Sequence, residues 1–317
     1  MSGVAQKNAL SGSLARPPAL NPGDKVAIVA PCAAVNPQSL ERGAQVLANM
    51  GYRVEVSPRA LDRDDILAGT DSVRAAEMAR FFADPLVKAI FVARGGYGCG
   101  RLLPLLDFAA FARQPKIFIG FSDVTFLLNA LVGQSRLVCF HGPTVAMDLA
   151  RGLSATSLTH MKDVLEGTTP LPLALQAQEV LQGGSAQGLL VGGCMSVVVA
   201  MLGTSFAPSF EGRILLLEDI GEKPYRVDRM LTQLAQSGAL SKVAAVVFGG
   251  MRGCDDTEDE RRLIRRFVRE QTCALGVPVL AGLNVGHSTE NLTIPLGVQV
   301  TVDGQNGRLC FTERWVS

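Results

Sequence analysis

The sequence has little net charge to offer a partner. Its 30 lysines and arginines face 29 aspartates and glutamates, a balance of +1. That gives no electrostatic reason to expect nucleic acid or an anionic membrane as partner. Histidine is scarce: only His141, His160 and His287 occur, and none belongs to an H-E-x-x-H zinc motif. The seven cysteines never fall into C-x-x-C spacing, and their number is odd. No metal site is expected, and the thiols read as reduced and buried in a reducing compartment. The N-terminus lacks the apolar core of about 7–15 residues that a signal peptide needs. It reads instead as a flexible arm over residues 1–22. An uncharged stretch, 188–207, carries Gly192, Gly193 and Gly203 and is followed by Pro208. It reads as a buried strand, a glycine turn and a buried helix, not a membrane span.

What is present is core. Of the 317 residues, 48% are hydrophobic, enough for two domains. Apolar runs alternate with helical patterns: KVAIVAP, YRVEV, KAIFVA, KIFIG and RLVCF, with helices over 37–50 and from Asp71 to about Ala83 between them. Strands that are apolar throughout and separated by helices predict a mostly parallel sheet covered on both faces. The fold class is therefore α/β in two domains. The first, 23–166, has a mostly parallel sheet flanked by helices and a serine at a strand-to-helix turn. A linker follows over 167–187, where proline, glycine and glutamine break the periodicity. A smaller, strand-rich α/β domain occupies 188–317. In it, DDTEDERRLIRRFVRE reads as a solvated helix whose acids balance its arginines, not as an RNA-binding face.

In such sheets, ligands bind where the carboxyl ends of strands meet helix N-termini. Three strand ends carry reactive or permissive groups. In IGFSD, Ser122 sits where its hydroxyl would project above the sheet, toward helix N–H groups able to stabilise an oxyanion. The same Ser122, or Asp123, could simply cap the following helix. In RGGYGCG, from Arg94 to Gly100, the glycines let backbone approach a ligand closely. The spacing departs from the dinucleotide fingerprint, and no acidic residue stands at a strand end about 20 residues on. Third, LLL ends at Glu218-Asp219, and His287 lies in a glycine-flanked loop. A serine needs a base, and an imidazole oriented by a carboxylate can serve. His141, in FHGP, rivals His287 on spacing alone.

Jointly, ARGGYGCGRLLPLLD, FIGFSDVTFLL, FHGP, LLLEDIGEKPYRVDRMLTQL and VGHSTENLTIPLGVQV resemble the LD-carboxypeptidase family of serine peptidases, which includes the microcin C immunity peptidases. The matching stretches run from about Gly23 to Val302. The resemblance implies a triad of Ser122 as nucleophile, Glu218 as orienting acid and His287 as base. It leaves His141 as a pocket or structural residue. It further implies backbone N–H groups of Gly96 and Asp123 as the oxyanion hole, and a site in the cleft between domains. Arg94, Tyr97 and Arg226 are candidates for binding substrate, the arginines for its free carboxylate. A cytoplasmic homodimer without cofactor is implied, releasing D-alanine from murein tetrapeptides at an L,D-peptide bond. Two alternatives stand beside it: the same chemistry on aminoacyl-nucleotide antibiotics, and a non-catalytic protein that binds cell-wall peptide. One departure is Cys194, where the family usually has asparagine after the paired glycines; a thiol offers less hydrogen bonding there.

Overall fold

In the computed structural model, which describes residues 14–288 and 290–317, the first half of the chain builds one parallel sheet. Its elements are β1 (Lys25–Val29), α1 (Pro37–Asn49), β2 (Arg53–Val56), α2 (Asp71–Ala83), β3 (Val87–Val92), α3 (Phe108–Ala112), β4 (Ile117–Gly120), α4 (Thr125–Ala130), β5 (Cys139–His141) and α5 (Ala155–Glu166). The strands lie in the order β2-β1-β3-β4-β5, all parallel. Side chains of β3 and β4 on both faces are buried, which is why these runs are apolar without alternation. Asn36 caps α1 through Ser39 N–H, with Pro37 in the first helical turn. Thr70 caps α2 by accepting from Val73 N–H.

The second half contains β6 (Leu173–Gln176), β7 (Glu179–Gln182), β8 (Ser185–Cys194), α6 (Met195–Met201), β9 (Ile214–Glu218), α7 (Pro224–Gln236), β10 (Ala245–Phe248), α8 (Glu258–Thr272), β11 (Val279–Ala281), β12 (Ile294–Leu296), β13 (Gln299–Asp303) and β14 (Arg308–Phe311). Eight of these strands form a mixed sheet, β6-β14-β13-β8-β9-β10-β11-β7, parallel only from β8 to β11. The uncharged stretch is β8 and α6, as its glycine turn predicts. Acidic residues open α8, and its arginines pair with carboxylates such as Glu258, Asp259 and Glu179.

Four expectations need correction. The arm over 1–22 is docked where it is described, residues 1–13 lying outside the described ones. Ala15 bridges to Leu137, Leu20 is buried, and Leu20 N–H donates to the Leu165 carbonyl at 3.0 Å. The stretch 167–187 is not an unstructured linker, since β6, β7 and the start of β8 lie in it as members of the second sheet. The division at 188 is also crossed: β12 pairs antiparallel with β5, adding a sixth strand to the first sheet. Finally, not all cysteines are free. Cys32 and Cys99 follow the ends of β1 and β3, neighbouring parallel strands, and form a disulfide with Cα atoms 5.1 Å apart.

The two sheets meet at a buried polar clasp. Asn129, on α4, donates to the Gly192 carbonyl and accepts from Gly192 N–H, both at 3.0 Å. Beside it, Thr125 Oγ1 accepts from Cys194 N–H at 3.0 Å. Removing a partner from a buried pair leaves the other group bare, costing about 1–3 kcal/mol per group. Asn129→Ala is therefore expected to destabilise the chain by about 2–4 kcal/mol in urea unfolding. A loss near zero would show that the clasp does not hold the two sheets together.

Candidate active site

The chain leaves β4 at Gly120 and reverses through Phe121 and Ser122. Ser122 has φ +67°, in the left-handed region that side chains other than glycine rarely enter. Such a conformation is kept only where its surroundings over-determine it. Here the surroundings are the glycine loop: a Cβ on Gly95 would stand 2.9 Å from Ser122 Cβ and 3.1 Å from its Oγ. Only glycine permits that approach. The carboxylate of Asp123 does not cap the helix, as the sequence allowed. It accepts from Cys99 N–H at 2.8 Å and ties the serine turn to the glycine loop. The Cys32–Cys99 disulfide anchors the same loop from the other side.

Arg74 adds a third anchor that sequence reasoning missed. Its buried guanidinium donates to the carbonyls of Pro31, Gly69 and Gly98 and pairs with Asp71. A buried arginine in an otherwise ordinary helix gave no spacing signal. Cys32, Cys99 and Asp123 lie close enough together to suggest a metal site, the one such cluster among the described residues. The bonded sulfurs have no thiolate to offer, and Asp123 is already engaged, so the donor set does not fit a metal.

From the second half come Glu218 and His287. Glu218 ends β9 and Asp219 follows it, and the two side chains find different partners. Asp219 accepts from Ser196 N–H at 2.8 Å and Ile220 N–H at 2.9 Å, with Cys194 Sγ 3.5 Å away. It serves the local turn. Glu218, with no exposed surface, faces His287: Oε2 lies 2.6 Å from Nδ1 and accepts from the His287 backbone N–H at 2.9 Å. A Cβ on Gly286 would stand 2.4 Å from the Glu218 carboxyl group, which explains the glycine before the histidine. Asn291 Oδ1 fixes that glycine through its N–H at 2.9 Å. The His287 ring packs on Phe121, centroids 4.7 Å apart, so it stands beside the serine turn.

Burial alone would raise the Glu218 pKa, but the imidazoles of His141 and His287 overcome it and bring it to about 2. Burial likewise opposes protonation of His287. The hydrogen bond and charge of Glu218, with Asp219 and Asp148 behind it, outweigh burial and hold His287 above its usual 6.5. The pair is built to keep a carboxylate charged and an imidazole basic.

Gly96, Tyr97 and Arg94 share the glycine loop with the serine turn. Gly96 and Tyr97 are exposed, and Arg94 donates to the Ala34 carbonyl at 3.1 Å while its Nε is buried without a partner. Arg226 is engaged elsewhere: on the exposed side of α7 it reaches Glu222 at 3.4 Å and lies by the Tyr225 ring. His141, on β5, points into the site with its Nε2 3.6 Å from Glu218 Oε1. A cleft of about 840 Å³ opens at His287. It runs between Asp148, Arg151, Gly152 and Leu153 of the first half and Gly249 to Arg252 of the second. Gly249 and Gly250, just past the end of β10, crowd against Glu218 and His287.

The sequence matches models of two domains, the LD-carboxypeptidase N-terminal domain over residues 26–142 and the LD-carboxypeptidase C-terminal domain over 187–302. A murein tetrapeptide carboxypeptidase of Pseudomonas aeruginosa is 33% identical over 90% of this chain and 94% of its own length. The microcin C7 self-immunity protein of Escherichia coli is 25% identical over 87% of this chain and 88% of its own. The crystal structure of muramoyltetrapeptide carboxypeptidase from Oxalobacter formigenes superposes with a TM-score of 0.83 at 32% identity, covering 92% of this chain and all of that one. With both domain models matched in order along one chain, this protein belongs to the LD-carboxypeptidase family.

Proposed function

We propose that the protein is a serine LD-carboxypeptidase that removes terminal D-alanine from murein tetrapeptides. The observation that carries this reading is the buried Glu218–His287 pair, 2.6 Å apart, packed through Phe121 against a serine held at φ +67°. Ser122 Oγ attacks the carbonyl carbon of the L,D-peptide bond. His287 takes the hydroxyl proton through Nε2 and later gives it to the nitrogen of departing D-alanine. Glu218 fixes the tautomer and offsets the charge that develops on the imidazole. The N–H groups of Gly96 and Asp123 receive the oxyanion, and water then releases the acyl group from Ser122. Of the three substrate-binding candidates, Arg94 and Tyr97 are the ones taken for that role, since they flank Gly95 and Gly96, the first of which packs on Ser122. Arg226, paired with Glu222, is the weakest of them.

The alternative on aminoacyl nucleotides needs an aromatic platform for a purine. The single tryptophan, Trp315, is buried and donates to the Val164 carbonyl at 2.7 Å. Trp315 therefore does not supply that platform, and Tyr97 is the exposed aromatic side chain of the glycine loop. A cytoplasmic homodimer belongs to the same proposal; no helix among the described residues is long and apolar enough to cross a membrane. The Cys32–Cys99 bond has no exposed surface, which shields it from a cellular reductant.

Two outcomes follow. Ser122→Ala is expected to lower D-alanine release from murein tetrapeptide about 10⁶-fold. Equal release by both proteins would refute the nucleophile, and faster turnover of an aminoacyl sulfamoyl adenosine than of tetrapeptide would refute the substrate. The base must be neutral, and its pKa is raised. The acid limb of kcat/KM is therefore expected above pH 6.5. Glu218→Gln removes the raising charge, so the limb moves to lower pH while kcat falls about 10⁴-fold. A limb unmoved by that substitution would exclude His287 as the titrating base.

A further inference from the structure

Three buried polar atoms on two facing side chains have no hydrogen-bond partner: Glu218 Oε1 and both ring nitrogens of His141. His141 Nε2 and Glu218 Oε1 face each other at 3.6 Å, just beyond hydrogen-bond length. Neither side chain has any exposed surface, so bulk solvent does not reach them. The opposite oxygen, Oε2, already takes both donors of His287. A buried carboxylate with one oxygen satisfied and the other bare is an unstable arrangement, because a desolvated charge needs donors on both sides.

We propose that His141 is a positioning residue for the catalytic carboxylate, donating Nε2–H to Glu218 Oε1 in the working enzyme. The inference rests on the triad reading above. The fold supplies the reason for this neighbour. β12 pairs with β5 in a register that sets Ile294 opposite His141, so the loop bearing His287 returns to the strand bearing His141. Gly193, from the second half, closes over the ring: a Cβ there would stand 3.4 Å from His141 Cδ2. Phe121 lies against both imidazoles, 5.8 Å from His141 and 4.7 Å from His287. Glu218 is thus held between two histidines from different halves of the chain. His287 uses the carboxylate to orient itself as base, and His141 keeps that carboxylate from rotating away. His141 touches neither substrate nor Ser122 in this role, so its effect runs through Glu218.

The test is a double-mutant cycle on the intact protein, read as kcat and KM for D-alanine release, with folding checked by thermal melting. His141→Leu keeps the volume and removes the donor. It is expected to lower kcat at least about 10-fold, as outer partners of functional histidines do, with KM little changed. His141→Gln, whose amide can reach the place of Nε2, is expected to restore most of the loss. In a Glu218→Gln background, His141→Leu is expected to cost less than about 2-fold, because the group it serves is gone. An equal loss in both backgrounds, or no rescue by glutamine in a protein that melts normally, would overturn the inference. If His141→Leu does not fold, the glutamine variant alone decides: kcat within about 3-fold of wild type supports the donor role, and a loss like that of Glu218→Gln refutes it. Ser122→Ala runs beside these variants. Undiminished release there would defeat the triad reading itself, whereas loss of release there with an active His141→Leu would defeat only the role given to His141.

Discussion

The interaction on which the rest depends is the grip of Asn129 on Gly192. One amide side chain satisfies both the N–H and the carbonyl of a glycine from the other half of the chain. Asn129 lies one turn beyond Thr125 on the helix that follows Ser122, and Gly192 lies just before the end of β8. In register, β8 runs beside β9, with Cys194 opposite Glu218. The clasp therefore fixes the distance between the serine turn and the carboxylate through two short, rigid elements. A site shared between two sheets needs such a fixed point, because small displacements of reacting groups cost rate steeply.

A second coupling closes the circuit. The chain passes from His287 into β12, which joins the first sheet beside β5. The loop bearing the histidine is thus pinned at its far end to the sheet that presents the serine. The second half supplies a buried negative charge, Glu218, and the local structure spends its donors on it: the His287 backbone N–H and ring on one oxygen, His141 facing the other. Burial strengthens every one of these interactions, and it also makes each missing donor costly.

Much of this was legible in the sequence. The apolar, non-alternating runs gave the parallel sheet, and strand ends drew attention to Ser122, Gly95, Glu218 and His287. Spacing alone left His287 and His141 level, and with reason: both meet Glu218, one on each oxygen. Glu218 and Asp219 adjoin at the end of β9, and only the fold shows that Glu218 is the one facing His287. What stayed illegible depends on contacts distant in the chain. Strands β6, β7 and β12 are short, and their pairing partners lie far off in sequence, so local pattern read them as linker or loop. The Cys32–Cys99 bond joins residues 67 apart, which spacing rules do not address. Asn129 was the overlooked signal: an amide inside the apolar run FLLNAL needs a buried partner. Cys194 holds its turn through its backbone N–H on Thr125 and its thiol beside Asp219.

The central claim is that Ser122 is a nucleophile activated by His287 and Glu218. Mass spectrometric peptide mapping after treatment with a fluorophosphonate tests it without assuming a substrate. Phosphonylation confined to Ser122, and slowed at least about 100-fold in His287→Ala, is the expected result. Unmodified Ser122, or labelling at the same rate without His287, would contradict it.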